Sequence, residues 1–330
     1  MQKMFGMVIS FLMIMGVLIG CSEETGSTKS NSNAGEDLSE ISFGSATVGG
    51  FWYTLSGAMS DKMASVFPES STTIVEGGSV SNLLGLGQGT FHIGFSNGQT
   101  VPEALNGKGA FDEPIKNVST VATLYPNVFH IAVREDSDIY SVEDLKGKVV
   151  SPGIKGYSGE LALLDILEMS NMSYDDLGGV EYVGTADGAD LLRDGHIDAI
   201  TGMLAAPVST FQELDTTMGL RFIPLRDEVI SSLHEKNEGY LEYTIEPNTY
   251  PSQPDPIKTV AGYTVLLANN DLMSEDAVYK LTKMMVENRD EWENISSVMS
   301  DFTAEYSVEK NVGNLHPGAK KYYKEIGVLE

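Results

Sequence analysis

From Ile41 onward, apolar residues recur at alternating two-residue and three-to-four-residue spacings, which predicts strands and helices in turn. Residues 41–45 and 72–76 read as short strands. Between them Phe51, Leu55, Met59, Met63 and Val66 form one helical stripe, closed by Pro68. Residues 91–95, 118–124 and 128–134 follow as strands, and Ser79 is placed to cap a short helix bearing Val80, Leu83 and Leu84. Residues 141–144 make a near capping box with Gly147 as the stop. A strand from Val149 toward Gly153, a helix over 159–171, a strand at 180–183, a helix at 188–194 and a strand at 197–200 complete a second set. Residues 247–256 carry four prolines and fit neither a helix nor a central strand. Residues 260–268 form an apolar strand, and Ser274 caps a long helix with Glu275 and Asp276 in its first turn. The alternation predicts an α/β fold of parallel sheets covered by helices. Crossings near 126 and 258 would divide it into lobe I, residues 40–126 plus 259–330, and lobe II, residues 127–258. Ligands in such sheets lie beyond the carboxyl ends of the strands, so facing lobes predict a closing cleft joined by a hinge.

The amino end is patterned differently. Lys3 precedes an uncharged apolar run over residues 4–19, which ends in Leu18-Ile19-Gly20-Cys21. A basic start, an apolar core and small residues at a cleavage point form a secretory signal. The run is shorter than the ~20 residues of a membrane span. LIGC resembles the bacterial lipobox, which implies lipidation of Cys21 after removal of residues 1–20. Residues 21–39, rich in Ser, Asn, Gly and Glu, read as a flexible tether. The expected location is the extracytoplasmic face of the cell membrane, held by lipid.

Composition narrows the function further. A formal net charge of −26 argues against nucleic acid, or an anionic membrane surface met by a basic face, as partners. Cys21 is the only cysteine, so no disulfide is available and stability must come from packing.

Three glycine-rich loops stand where this geometry places a ligand: residues 45–50, 76–79 and 153–159. Glycine brings backbone N–H groups close to a ligand, and helix amino ends carry roughly half a positive charge. Together they predict a carboxylate or phosphate site. Ser45, Thr47, Ser79 and Ser158 add hydroxyls, Gly49, Gly50, Gly78, Gly156 and Gly159 give backbone access, and Lys155 supplies a charge. Ser96 and Asn97 are expected to line the cleft, with Trp52 or Tyr53 as a wall and Tyr125 reaching in from the hinge. The loops lack the spacings of nucleotide-binding motifs. Residues 94–98 match GxSxG, which admits a secreted serine hydrolase using Ser96, with Asp301 and His316 as its partners. His92, His130, His196, His234 and His316 show no metal-ligand spacing, so neither a metal nor a cofactor is expected.

An ordered set of segments carries a resemblance: residues 44–53 (GSATVGGFWY), 75–83 (VEGGSVSNL), 122–126 (ATLYP), 141–148 (SVEDLKGK), 192–199 (LRDGHIDA) and 315–319 (LHPGA). Across residues 41–325 the chain resembles the TAXI family of solute receptors of TRAP (tripartite ATP-independent periplasmic) transporters. That resemblance implies a type II periplasmic-binding-protein fold without catalysis, closing on a small anionic solute such as glutamate, glutamine or a dicarboxylate like 2-oxoglutarate. It also implies delivery to membrane permease subunits driven by an ion gradient. By position, ligand contacts would fall at Ser45, Thr47, Gly49, Gly50, Gly78, Ser79, Ser96, Tyr125 and the loop Gly156, Tyr157, Ser158 and Gly159. Relatives often read Gly-Ser-Gly-Thr in that loop, so the hydroxyl position and bulk differ here. Residues 202–207 occupy another family ligand loop but are plain. The receptor of an ATP-driven importer shares this fold and stands as an alternative.

Overall fold

The computed structural model describes residues 38–48 and 50–330. The signal segment, Cys21, most of the tether and Gly49 lie outside the described residues.

The first half runs β1 (Glu40–Gly44), α1 (Phe51–Val66), β2 (Ser71–Val75), α2 (Ser79–Gly87), β3 (Ile93–Asn97), α3 (Thr100–Asn106) and β4 (Val118–Arg134). It continues through β5 (Val149–Ser151), α4 (Ser158–Met169), β6 (Gly179–Val180), α5 (Thr185–Arg193), β7 (Ala199–Leu204), α6 (Ser209–Met218), β8 (Leu220–Phe222), α7 (Asp227–Lys236) and β9 (Leu241–Ile245). It closes with β10 (Ile257–Asn269), α8 (Glu275–Glu287), α9 (Arg289–Ile295), α10 (Ala304–Glu309) and α11 (Pro317–Glu325).

Leu55, Met59 and Met63 of the α1 stripe are buried, as the spacing predicts. Ser274 caps α8, its Oγ accepting the Ala277 N–H at 3.2 Å. Ser79 does not cap α2. Gly78 holds that position, and Ser79 is the first helical residue, which frees its hydroxyl to turn elsewhere. Residues 143–145 form only a single tight turn, because Asp144 Oδ2 is drawn back to the Tyr140 and Ser141 N–H groups at 2.9 Å each.

Two corrections concern the sheets. The strands expected at 118–124 and 128–134 are one continuous strand, β4. Pro126 lies opposite Tyr263, where the β4–β10 register slips, so the missing N–H falls at an irregularity and does not break the ladder. The strands are also not all parallel. β1 pairs with β2 and β3, and β5 with β6 and β7, in parallel. β10, in contrast, runs antiparallel to β3, β4 and β9, and β4 antiparallel to β7 and β8. The chain leaves lobe I along β4 and returns along β10 in the opposite sense, so the two crossing strands lie side by side antiparallel. They link the sheet order β2-β1-β3-β10-β4 to β4-β7-β5-β6.

Each half of this sheet is packed on both faces. In one half, Phe43, Phe95, Met59, Leu281 and Trp292 belong to one core, and Leu83, Val101, Phe111 and Leu267 to the opposite one. In the other, Phe129, Leu163 and Leu233 form one core, and Phe211, Phe222 and Tyr250 the opposite one. Two α/β lobes joined by paired strands constitute a type II periplasmic-binding-protein fold. No helix among the described residues is long and apolar enough to cross a membrane.

Candidate functional site

Three helices begin at one place between the lobes. Phe51 and Trp52 open α1, Gly78 and Ser79 open α2, and Tyr157 and Ser158 open α4; all six line one cavity of about 220 Å³. Asn97, Tyr125, Asn127, Met203, Leu204 and Ala205 contribute most of the remaining wall. The volume falls below the ~300–1,000 Å³ of drug-sized pockets, which suits a small solute.

Asn97, at the end of β3, is the hub of the wall. Its Nδ2 donates to Ser79 Oγ at 3.1 Å and to Ser158 Oγ at 2.7 Å, tying α2 to α4 across the cleft. Its Oδ1 accepts from Asn127 Nδ2 at 2.7 Å. Asn127 also donates to Thr264 Oγ1 at 2.6 Å, which in turn accepts Trp52 Nε1–H at 3.1 Å. A second link spans the lobes: Tyr157 Oη donates to the Gly77 carbonyl at 3.2 Å, with the phenol ring lying against Gly78.

Among the described residues the lining contains no Lys, Arg, His, Asp or Glu. Positive potential therefore comes from the helix amino ends, whose first N–H groups lack intrahelical acceptors. Burial holds the Tyr125 phenol well above its usual value, and Tyr157 is raised by burial and by nearby Glu76. Both phenols stay neutral at physiological pH. The arrangement can hold an anion by hydrogen bonds and dipoles, in the manner of helix-terminus phosphate and carboxylate sites.

Of the residues singled out in the sequence, Trp52, Gly78, Ser79, Asn97, Tyr125, Tyr157 and Ser158 line the cavity. The others that the structure describes stand elsewhere. Ser45 turns inward, its Oγ 2.9 Å from Ser56 Oγ. Thr47 is exposed in the turn before α1, where its carbonyl accepts the Gly50 N–H. Gly50 is the residue before α1. Lys155 does not supply the expected charge. It is exposed, with Nζ 5.5 Å above the Tyr182 ring. Gly156 is exposed at φ +80, and Gly159 seats α4 against the backbone of Gly202 and Met203.

Ser96 is fully buried, donating to the Ser79 carbonyl at 3.0 Å and paired with Thr100 Oγ1 at 2.6 Å. His316 caps α11 through Nδ1 and is likewise buried. The GxSxG segment is thus a strand end that braces α2, with no histidine bonded to its serine. Met203, Leu204 and Ala205 fall in the 202–207 segment that the family resemblance marks as a ligand loop, but their plain side chains, like Asn127 at the crossing, point to no particular contact in the sequence.

A larger groove of about 710 Å³ lies between α3 and the α7 terminus. Its walls are predominantly acidic, with Glu103, Asp165, Glu235 and Glu238 against Lys108 and Lys236, which disfavours an anion there. Burial, reinforced by the Asp165 carboxylate, pushes Glu103 up to about 7. The unfolded chain gives up that proton at a lower pH, so the group costs stability progressively from about pH 4.5 to 7 and fully above. After allowance for solvent screening, Glu103→Gln is expected to stabilise the protein by roughly 1–2 kcal/mol at pH 8 and not at pH 4. Urea unfolding at the two pH values checks this, and equal effects at both would contradict it.

Solved structures share this fold. The PhnD1 protein of Prochlorococcus marinus, in complex with methylphosphonate, is 10% identical, covers 89% of this chain and 100% of its own, and superposes with a TM-score of 0.54. A binding-protein component of an ABC phosphonate transporter from Pseudomonas aeruginosa is 12% identical, with 79% of each chain covered and a TM-score of 0.51. The chain belongs to the NMT1-like family, whose sequence profile matches residues 43–327.

Proposed function

We propose that this protein is an extracytoplasmic solute receptor that captures a small organic acid between its lobes and delivers it to a membrane permease. One observation carries the reading: three helix amino ends open into a single interlobe cavity that, among the described residues, has hydrogen-bond donors but no charged side chain. Such a site binds and releases an anion without chemistry. The solute belongs to the dicarboxylate, glutamate or glutamine class that the TAXI resemblance implies. Closure around it brings Tyr157 to Gly77 and Ser158 to Asn97. A lipid on Cys21 would hold the receptor at the outer membrane face.

The segments at residues 44–53, 75–83 and 315–319 favour an ion-coupled TRAP permease as the recipient. Kinship of fold with a phosphonate receptor of an ABC transporter supports the second reading, an ATP-driven importer. A large ion-coupled permease encoded beside this gene supports the first, and an ATPase there the second. A ligand that binds only the folded state raises its melting temperature. In a thermal-melt panel of small acids, sugars and peptides, at least one acid is expected to raise the midpoint by about 4 °C or more at saturation. A panel without any acid-dependent shift would overturn the receptor reading.

A further inference from the structure

Gln99 is the residue before α3 and is 1% exposed. Both its Nε2 and its Oε1 are buried without a hydrogen-bond partner among the described residues. A buried polar atom left unpaired costs roughly 1–3 kcal/mol, and native proteins keep few of them. A carboxamide with both ends unpaired therefore calls for a partner.

Its position indicates which partner. Gln99 Oε1 sits 1.9 Å from the point a Cβ on Gly262 would occupy, and Met203 Cε is 3.2 Å from the same point. Only the absence of a side chain at 262 lets the amide settle there. Gly262 pairs directly with Asn127 across the β10–β4 ladder, and opposed residues point to the same face. Asn127 and Met203 both line the cavity. The amide thus lies beneath the cavity floor, behind Met203 and beside Asn127. Two hydrogen bonds, through Asn127 and Asn97, separate this floor from the helix ends at Ser79 and Ser158. Methionine has three rotatable bonds, so a rotamer change at Met203 opens the floor.

We propose that the Gln99 carboxamide contacts the end of the solute farthest from the helix amino termini, and selects an acid whose far end is a carboxamide over the matching dicarboxylate. This rests on the receptor reading. A carboxamide presents donors and an acceptor together. A second carboxamide satisfies both, whereas a carboxylate satisfies Nε2 alone and sets its own oxygen against Oε1. No cation among the described lining residues offsets a second negative charge.

The test titrates the wild-type protein and the volume-matched Gln99→Met variant with glutaramate, glutarate and pentanoate, which share one five-carbon skeleton. Wild type is expected to bind glutaramate about tenfold or more tightly than the other two. Gln99→Met is expected to lose that preference while its melting temperature holds or rises. Equal wild-type affinity for all three acids, or a preference that survives in Gln99→Met, overturns the assignment and leaves the receptor reading intact. Failure of all three acids to bind the wild type also overturns the assignment, while the receptor reading falls only if the thermal-melt panel shows no acid-dependent shift.

Discussion

Asn97→Leu is expected to weaken binding of the acid that gives the largest thermal shift by about a hundredfold or more. The substitution removes three hydrogen bonds at once, two donated to Ser79 and Ser158 and one accepted from Asn127. All four side chains are largely buried and line the cavity, so a solute that displaces the water there leaves the abandoned hydroxyls and amide unpaired. Each orphaned group costs roughly 1–3 kcal/mol, and ~3 kcal/mol corresponds to about a hundredfold in the dissociation constant. The loss is expected to fall on binding because the Asn97–Ser158 bond joins the two sides of the cleft, which must meet around the solute. Titration calorimetry of both proteins checks this, and unchanged affinity would show that the cavity wall is not the solute site.

The second large effect concerns acid stability. His130 on β4 is buried among Phe211, Phe222 and Tyr250. Its Nδ1 lies 2.8 Å from the Val128 carbonyl and its Nε2 2.8 Å from Tyr250 Oη, which also accepts the Val208 N–H. The neutral ring thereby ties the segment after Ala205, a cavity-lining residue, to the crossing strand. Burial pushes His130 down to about 4, against the weaker opposing effect of the Val128 carbonyl. Below about pH 6.5 the unfolded chain takes up a proton that the folded protein refuses, so stability falls as pH drops from 6.5 toward 4. At roughly 1.4 kcal/mol per pH unit the loss approaches ~3 kcal/mol. His130→Phe has no such proton to take up. Its unfolding free energy should fall less over that window, by about this amount, and parallel curves for the two proteins would refute the assignment. Glu103 acts with the opposite sign over an overlapping range, so each variant must be compared with wild type at matched pH.

The order of strands and helices was legible because it rests on local periodicity, and the α1 stripe of Leu55, Met59 and Met63 is the clearest case. Pro126 misled because its effect depends on a partner more than 130 residues away, at Tyr263, where the ladder is irregular. The antiparallel return of β10 has no local signal for the same reason. In the site, glycines and hydroxyls at helix starts stood out by residue type. Met203, Leu204 and Ala205 did not, since apolar residues at a strand end look like core. Lys155 was read by its charge, but its side chain lies over Tyr182, outside the cavity. Gln99 escaped notice because an unpaired amide becomes visible only once its surroundings are known.

Backbone amide shifts during titration with the acid identified by thermal shift test the central claim most directly. An acid held by helix amino ends should move the N–H resonances of Ser79, Val80, Ser158 and Gly159 most, saturating with one molecule per chain. Shifts concentrated in the acidic groove at Glu235–Glu238, with those four amides unmoved at saturation, would contradict the account.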